Sequence, residues 1–296
     1  MYKDFNDLGR NIASQQKTLV VAAAHDSHTL EAVFKAAEKY NLRYLLVGNR
    51  GQILAKSLEL GFSPGNDLIV NCEDDAGCTA AAVDLIKTGS GDVLMKGIME
   101  TSTLLKAVLD KDSGIRGPGT LSHMAVLEVP GYHKLIGITD GGMIPNPDLS
   151  QKVDIVKNAV RYFRGIGCTQ PKIAALCASE TVIEKIQETV DASKLQEMCN
   201  NGELGNCLLE GPVSFDIAVS RESAAIKGFS SEISGETDIF LVPCISAGNI
   251  LAKGLIYWAH AKMAGLVLGS GVPIVLVSRA ASSEEKLLSI LISIAG

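Results

Sequence analysis

The chain has 296 residues, a length at which large cores form and two domains are most common. Apolar residues make up 47% of it and aromatic residues only 5%, which is typical of an Ala/Val/Ile/Leu-rich α/β protein and excludes intrinsic disorder. The formal net charge of −6 argues against binding nucleic acid through a basic face, so positive charge for a polyanionic ligand must be gathered locally.

Short apolar runs alternate with amphipathic stretches along the first hundred residues. Strands are predicted at 18–23, 44–47, 68–70 and 93–95, and helices at 27–40, 53–60 and 76–87. Ser27 is the predicted cap of the first of these helices. This rhythm predicts a parallel sheet covered by helices. No GxGxxG follows the first strand, so the usual dinucleotide fingerprint is missing, and the histidines there, His25 and His28, are commoner as solvent-facing loop residues than as catalysts.

The pattern changes between residues 96 and 148. A helix is predicted at 101–109, and two strands, 124–129 and 134–139, are joined through Pro130-Gly131-Tyr132, which indicates a hairpin. Asp140 follows the second strand beside two glycines. That arrangement fits close approach of a ligand and a simple turn equally well.

Alternation resumes after Pro147 with a helix to Arg164, a strand at 173–176 and a helix at 181–198. We place the domain boundary near residue 135, so that residues 1–134 and 263–296 form domain I and residues 135–262 form domain II. A cleft between the two lobes is then the expected ligand site.

The stretch from Gly235 to Arg279 has two features that fit anion binding. Gly248 and Asn249 are predicted to open a helix, where unpaired N–H groups and the helix dipole attract anions. This helix carries Lys253 and is predicted to end at Gly265. Ser278 and Arg279 follow a predicted strand at 274–277, where open α/β sheets place ligands, and arginine matches a phosphate bidentately. Such a pair is more often a solvated strand end.

Targeting signals and cysteine pairs are not evident. The N-terminal stretch has no apolar segment of the kind an export signal needs, and no run approaches the roughly 18 apolar residues of a membrane span. The seven cysteines include no CxxC pair, which disfavours a zinc site or a disulfide framework. We therefore expect a cytoplasmic protein with reduced thiols, no membrane partner and no nucleic-acid partner.

Six stretches occur in a fixed order beyond residue 90: KGIMETSTLLKAVLD (96–110), LSHMAVLEVPGYHKLIGITDGG (121–142), PDLSQKVDIVKNAV (147–160), EGPVSFDIAV (210–219), VPCISAGNILAKGL (242–255) and VPIVLVSRAASSEEKLLSI (272–290). Together they resemble the phosphate acyltransferase family, which includes phosphate acetyltransferase and phosphate butyryltransferase. The Ser-His pair after Leu121, the VPGYHKL run and the single-module length are most similar to the butyryltransferase branch.

The resemblance implies a reaction, a fold and a set of partners. The reaction is reversible transfer of a short-chain acyl group, butyryl or similar, from acyl-CoA to inorganic phosphate, giving acyl phosphate and CoA. The fold is the two-lobed α/β/α fold shared with the isocitrate and isopropylmalate dehydrogenases, and the assembly is a homodimer or larger homo-oligomer. Coenzyme A is a substrate, and no bound cofactor, nicotinamide or metal is expected.

The resemblance also assigns roles to individual residues. Arg279 fits the phosphate-binding arginine, and Ser278 fits a donor to the tetrahedral oxyanion. Counting from the arginine to the base of the acetyltransferase branch leads to Glu285, for which a solvated helical glutamate is the slightly favoured alternative. The residues expected to bind phosphate or CoA are Lys106, Ser122, Asp140, Gly248, Asn249 and Lys253.

Four positions depart from the family pattern. Ile144 replaces an asparagine, Cys244 and Ser246 replace Asn and Glu of the butyryl branch, and Ala281 replaces an acidic residue. These departures leave two alternatives open: acetyl or propionyl specificity, and a non-catalytic protein that binds CoA or acyl phosphate on the same fold. A decarboxylating dehydrogenase is disfavoured, because no clear cluster of aspartates for a divalent metal is found.

Overall fold

The computed structural model describes residues 1–12, 16–277 and 281–296. Within this part the chain forms two compact units: unit 1 comprises residues 1–5 and 119–263, and unit 2 comprises residues 6–118 and 264–296. Every helix in the described residues is too short or too polar to cross a membrane.

Helices and strands alternate along most of the described chain. The helices are α1 (Phe5–Arg10), α2 (Ser27–Tyr40), α3 (Arg50–Glu59), α4 (Asp75–Lys87), α5 (Thr101–Val108), α6 (Leu149–Gly165), α7 (Gln187–Asn200), α8 (Phe215–Val219), α9 (Arg221–Ile226), α10 (Ile245–Ala259) and α11 (Ser283–Ala295), with a 3-10 turn at Asn66–Leu68. The strands are β1 (Thr18–Ala22), β2 (Arg43–Gly48), β3 (Ile69–Asn71), β4 (Val93–Lys96), β5 (Ser122–Glu128), β6 (Ile136–Thr139), β7 (Lys172–Leu176), β8 (Leu208–Val213), β9 (Ile239–Leu241), β10 (Lys262–Leu268) and β11 (Ile274–Val275).

Unit 2 is built on a sheet with the strand order β3-β2-β1-β4-β11-β10. The strands from β3 to β11 are parallel, as the alternating pattern predicts, and β10 is antiparallel to β11. Buried apolar side chains of α2 and α11, among them Leu30, Phe34, Ile290 and Ile294, share one core with the strands. Burial of these apolar side chains supplies the main driving force for folding of unit 2.

The cap of α2 differs from the prediction. The side chain of Asp26, and not that of Ser27, accepts the hydrogen bond from the backbone N–H of Thr29, at 2.9 Å. Ser27 is instead the first helical residue. A carboxylate at this position also interacts favourably with the positive end of the helix dipole.

Unit 1 is built on a sheet with the strand order β5-β6-β9-β7-β8. The predicted hairpin is confirmed, because β5 and β6 are antiparallel neighbours with Ala125 opposite Ile138. This pairing keeps residues 119–134 in unit 1, whereas the sequence-based division placed them with domain I. The strands β6, β9, β7 and β8 are parallel, so their carboxyl ends lie at one edge of this sheet.

Two helix boundaries lie six residues away from the predicted positions. The helix predicted from residue 181 begins at Gln187, because the preceding stretch folds into a turn in which the hydroxyl of Thr189 accepts a bond from the N–H of Ile183. The helix predicted to end at Gly265 ends at Ala259, where His260 takes a left-handed conformation with φ 55°. Gly265 lies inside β10.

Candidate functional site

The loop after β6 is held together by the carboxylate of Asp140, which is 1% exposed. Its Oδ1 accepts hydrogen bonds from the backbone N–H groups of Gly142 and Met143, both at 2.8 Å. Its Oδ2 accepts from the N–H of His123 in β5, at 3.0 Å. Because both oxygens bind backbone groups, Asp140 fixes the loop to the neighbouring strand, and direct contact with a ligand stays a prediction.

Ser122 lies inside unit 1, at the start of β5. It is 1% exposed, and its Oγ accepts a hydrogen bond from Nδ2 of Asn158 in α6, at 3.0 Å. The same amide nitrogen donates to the backbone carbonyl of Thr120, at 2.9 Å. Asn158 therefore ties the beginning of β5 to α6, and the role of Ser122 in substrate binding stays a prediction.

Two glycines bring the loop after β6 against the first turns of α10. A Cβ atom on Gly248 would lie 2.6 Å from the Cα atom of Gly141, and one on Gly141 would lie 2.9 Å from the carbonyl carbon of Gly248. Both distances are far shorter than a carbon–carbon contact, so each position requires glycine. Gly248 thus sets the approach of two backbone segments.

The prediction that Gly248 and Asn249 open a helix is wrong. The helix α10 begins at Ile245, whose backbone N–H donates to the carbonyl of Pro145 at 3.1 Å, and Cys244 precedes it in an extended conformation without a side-chain cap. The helix starts early because this bond to a distant loop stabilises its first turn. The N–H groups without an intrahelical acceptor therefore belong to the first residues after Cys244.

Asn249 and Lys253 both lie on α10 and are exposed. They are four positions apart, so their side chains share one face of the helix. An amide and an ammonium group on one exposed face offer hydrogen bonds and a positive charge to a phosphate-containing ligand.

His123 is a titratable residue near Asp140 for which the sequence predicted no role. It is half-buried, and its Nδ1 is buried without a hydrogen-bond partner among the described residues. The ring packs on Gly142, where a Cβ atom would lie 2.7 Å from its Cγ. Burial lowers the pKa of His123, and the carboxylate of Asp140 opposes this effect only in part. The imidazole is therefore neutral at pH 7.

This burial predicts how stability depends on pH. The unfolded chain binds a proton at His123 with a pKa of about 6.5, and the folded chain does so only at lower pH. The free energy of unfolding therefore falls as the pH drops below about 6.5, by at most about 1.4 kcal/mol per unit for this group. We expect His123→Asn to weaken the loss of stability between pH 7.5 and pH 5.5, measured by urea unfolding.

A matched control for this experiment is His28→Asn, because His28 is exposed. The change in pH dependence should be larger for His123→Asn than for this control. An unchanged pH dependence in His123→Asn would contradict the assignment of a neutral, buried imidazole.

The predicted site residues of unit 2 are placed only in part. Lys106 lies on α5 and is exposed. Glu285 lies in the first turn of α11, where its Oε2 accepts hydrogen bonds from the N–H and the Oγ of Ser282, at 2.9 and 3.3 Å. This is a capping box, and it gives Glu285 a role in starting the helix. Ser278 and Arg279 lie outside the described residues.

Most thiols are unsuited to nucleophilic attack at neutral pH. Burial raises the pKa of Cys78, Cys168 and Cys177 to about 11 and that of Cys207 to about 12. Because the thiolate is the nucleophile, these side chains are almost wholly in the unreactive form.

In the described part of the chain, no group of three or more His, Cys, Asp and Glu side chains is arranged to hold a metal ion.

Comparison with known proteins links these features to one family. The family described as "Phosphate acetyl/butaryl transferase" matches residues 73–294. A phosphate butyryltransferase from Clostridium acetobutylicum is 38% identical over 98% of this chain and 97% of its own length. A phosphate acetyltransferase from Thermotoga maritima is also 38% identical, over 94% of each chain.

The fold is also found in a solved structure. The crystal structure of a branched-chain phosphotransacylase from Enterococcus faecalis is 32% identical and has a TM-score of 0.83, covering 95% of this chain and 98% of its own. The predicted α/β fold class is confirmed.

Proposed function

The chain belongs to the phosphate acetyl/butaryl transferase family, and we propose that the acyl group it transfers is a short chain, butyryl or similar. It catalyses reversible transfer of this group between coenzyme A and inorganic phosphate: acyl-CoA + phosphate ⇌ acyl phosphate + CoA. The observation that carries the proposal is the 38% identity to a phosphate butyryltransferase over nearly the full length of both chains. Coenzyme A and phosphate are accordingly substrates.

The chemistry requires a cation for phosphate, donors for an oxyanion and a base for a thiol. We propose that Arg279 binds phosphate through its fork of N–H donors, which matches two phosphate oxygens at once. Ser278 is proposed to donate to the oxyanion formed when the acyl carbonyl is attacked. When CoA attacks acyl phosphate, the thiol must lose its proton. A thiol with an ordinary pKa of about 8.5 is mostly protonated at neutral pH, so a base speeds this step.

Glu285 is the proposed base, and its capping role limits how it acts. Among the described residues, the bonds of its carboxylate to Ser282 use Oε2, which leaves Oε1 to accept a proton. Its fixed orientation in the capping box would hold Oε1 in one position relative to the helix. Lys106, exposed on α5, supplies a second positive charge, though as a point charge without the fork of arginine.

The residues of unit 1 divide into two groups. Asn249 and Lys253 have exposed polar groups, and we propose that they contact phosphate or CoA directly. Asp140, Ser122 and Gly248 are buried. We propose that Asp140 and Gly248 position the loop after β6 and the start of α10, and that Ser122 helps to hold the start of β5 against α6. Buried groups whose hydrogen bonds are satisfied act indirectly, because they hold in place the residues that contact the substrate.

Particular residues and relatives favour two alternatives. Acetyl or propionyl specificity is supported by the Thermotoga maritima phosphate acetyltransferase, which is as similar in sequence as the butyryltransferase. A non-catalytic protein that binds CoA or acyl phosphate is supported by the departures at Ile144, Cys244 and Ala281.

One assay separates these alternatives. The purified protein is mixed with butyryl-CoA, propionyl-CoA or acetyl-CoA, with and without phosphate, and released thiol is followed with a colour reagent. We expect phosphate-dependent release that is fastest with butyryl-CoA. Fastest release with acetyl-CoA would favour the acetyltransferase, and CoA binding without release would favour the non-catalytic protein.

We also propose that the chain forms a homodimer or larger homo-oligomer in the cytoplasm. The helix α10 exposes two large aromatic side chains, Tyr257 at 73% and Trp258 at 88%. Adjacent exposed aromatic residues are typical of protein–protein interfaces. Light scattering of the purified chain tests the assembly, and a strictly monomeric mass would contradict it.

A further inference from the structure

A cavity of about 490 Å³ lies within unit 1, at the carboxyl edge of its sheet. Its wall comes from the loop that follows β6, from the first turns of α6 and α7, and from the residues that follow β9. Residues of the wall include Asn146, Leu149, Lys152, Glu188, Lys194 and Cys244. The volume lies in the range of about 300–1,000 Å³ that is usual for small-molecule sites.

One wall of the cavity is a buried ion pair. Nζ of Lys152 lies 2.7 Å from Oδ2 of Asp191, and the two side chains are 7% and 5% exposed. Oδ1 of Asp191 accepts a further bond from Nε2 of Gln187, at 2.8 Å. An ammonium group has three donors, and among the described residues only Asp191 binds that of Lys152. Two N–H donors of the buried Lys152 ammonium group therefore have no partner among the described residues and lie beside the cavity.

The start of α7 adds further donors. This helix follows Ile186 and has no side-chain cap. The first backbone N–H groups of a helix have no intrahelical acceptor. The cavity wall includes Gln187 and Glu188, so their N–H groups lie close to it, whereas the first N–H of α10, that of Ile245, already donates to Pro145.

The balance of charge decides between classes of ligand. Two lysines and three carboxylates line the cavity, the carboxylates being Asp148, Glu188 and Asp191, so the wall carries one more negative than positive charge. A phosphate group is therefore a poor fit. A hydrocarbon chain is a poor fit as well, because it would leave the buried donors of Lys152 without acceptors. A neutral ligand with amide and hydroxyl groups meets donors and acceptors alike.

We propose that this cavity binds the pantetheine arm of coenzyme A, an inference that rests on the proposed function. The arm is uncharged, and it carries two amides, a hydroxyl and the terminal sulfur. Its carbonyl oxygens accept hydrogen bonds from Lys152 and from the N–H groups of α7. Its amide N–H groups donate to the carboxylate of Glu188 or to the side-chain oxygen of Asn146.

The half-buried thiol of Cys244 makes the proposal testable without turnover. The protein is alkylated with iodoacetamide, and labelling is followed by mass spectrometry. Cys72, also half-buried but in unit 2, is the internal control. We expect saturating S-methyl-CoA, which has no free thiol, to slow the labelling of Cys244 at least fivefold and to leave Cys72 unchanged. Adenosine 3′,5′-bisphosphate, which lacks the arm, should not protect Cys244.

Equilibrium dialysis shows separately whether S-methyl-CoA binds. If it binds and Cys244 is still labelled at the same rate, the cavity assignment is overturned and the proposed function stands. Protection by the bisphosphate would also overturn it, since the nucleotide end would then occupy the cavity. No CoA binding, together with no thiol release in the assay, would refute the proposed function itself.

A cavity-filling variant provides a second, independent measurement. Leu149 is half-buried in the cavity wall, and Leu149→Trp is expected to raise the KM for acyl-CoA at least tenfold and to leave the KM for phosphate unchanged. Leu58→Trp is the matched control, because Leu58 is 72% exposed in unit 2. Equal KM values for acyl-CoA in the two folded variants would overturn the proposal. If Leu149→Trp does not fold, the labelling of Cys244 in the wild type decides whether the proposal holds.

Discussion

The Arg279→Ala variant is expected to lose roughly 100-fold or more in kcat/KM for phosphate, which corresponds to about 2.7 kcal/mol of transition-state stabilisation. The physical reason is that the guanidinium is the proposed partner of the phosphate dianion, and two charge-assisted hydrogen bonds are lost together. The measurement is initial rates of thiol release from butyryl-CoA at several phosphate concentrations, with a circular dichroism spectrum to show that the fold is kept.

Two further variants sharpen this experiment. Arg279→Lys keeps the charge and loses the bidentate geometry, so its rate should lie between those of the wild type and Arg279→Ala. Arg10→Ala is the surface control, because Arg10 is exposed and lies 3.7 Å from its ion-pair partner Asp7. A fully active Arg279→Ala protein would remove the main site assignment.

The Lys152→Met variant is expected to lower the free energy of unfolding by about 3–5 kcal/mol, because it leaves the carboxylate of Asp191 buried without its countercharge. The hydrogen bond from Gln187 compensates only in part, since a neutral amide stabilises a carboxylate less than an ammonium group does. Urea unfolding at pH 7 measures the effect.

The double variant Lys152→Met/Asp191→Leu should recover most of this loss, because it removes both charges together. Lys35→Met is the matched control for an exposed pair. Nζ of Lys35 lies 2.6 Å from Oε1 of Glu31, but the side chains are 50% and 30% exposed, so the cost should stay below about 1 kcal/mol. A Lys152→Met protein as stable as the wild type would contradict the prediction, because it would show that loss of the countercharge costs no stability.

Some features of the site had a local signal in the sequence that was not used. Ser282 and Glu285 have the S-x-x-E spacing of a capping box, and the structure forms both of its bonds. The predicted base therefore also starts α11, a helix whose bounds were not predicted from the sequence. Asp26 likewise precedes the predicted start of α2 and has a side chain that favours the cap position.

Other features depend on contacts between residues that are distant in the chain. The helix α10 begins at Ile245 because a carbonyl in the loop after β6 accepts its N–H. Gly248 is required because Gly141 packs against it, backbone to backbone. Burial of His123 and its lowered pKa follow from the same loop. No pattern of neighbouring residues shows any of these.

The sequence by itself determined the α/β class, the hairpin of β5 and β6, and the family, because alternating apolar periodicity and ordered motifs are properties of the chain alone. The tertiary structure alone decided that Asp140 and Ser122 are buried and bonded, where α10 begins, and which residues surround the cavity of unit 1. The physical reason is that burial and hydrogen bonding depend on which side chains the folded sheet brings together. Lys152 and Asp191 are 39 residues apart in sequence and 2.7 Å apart in space.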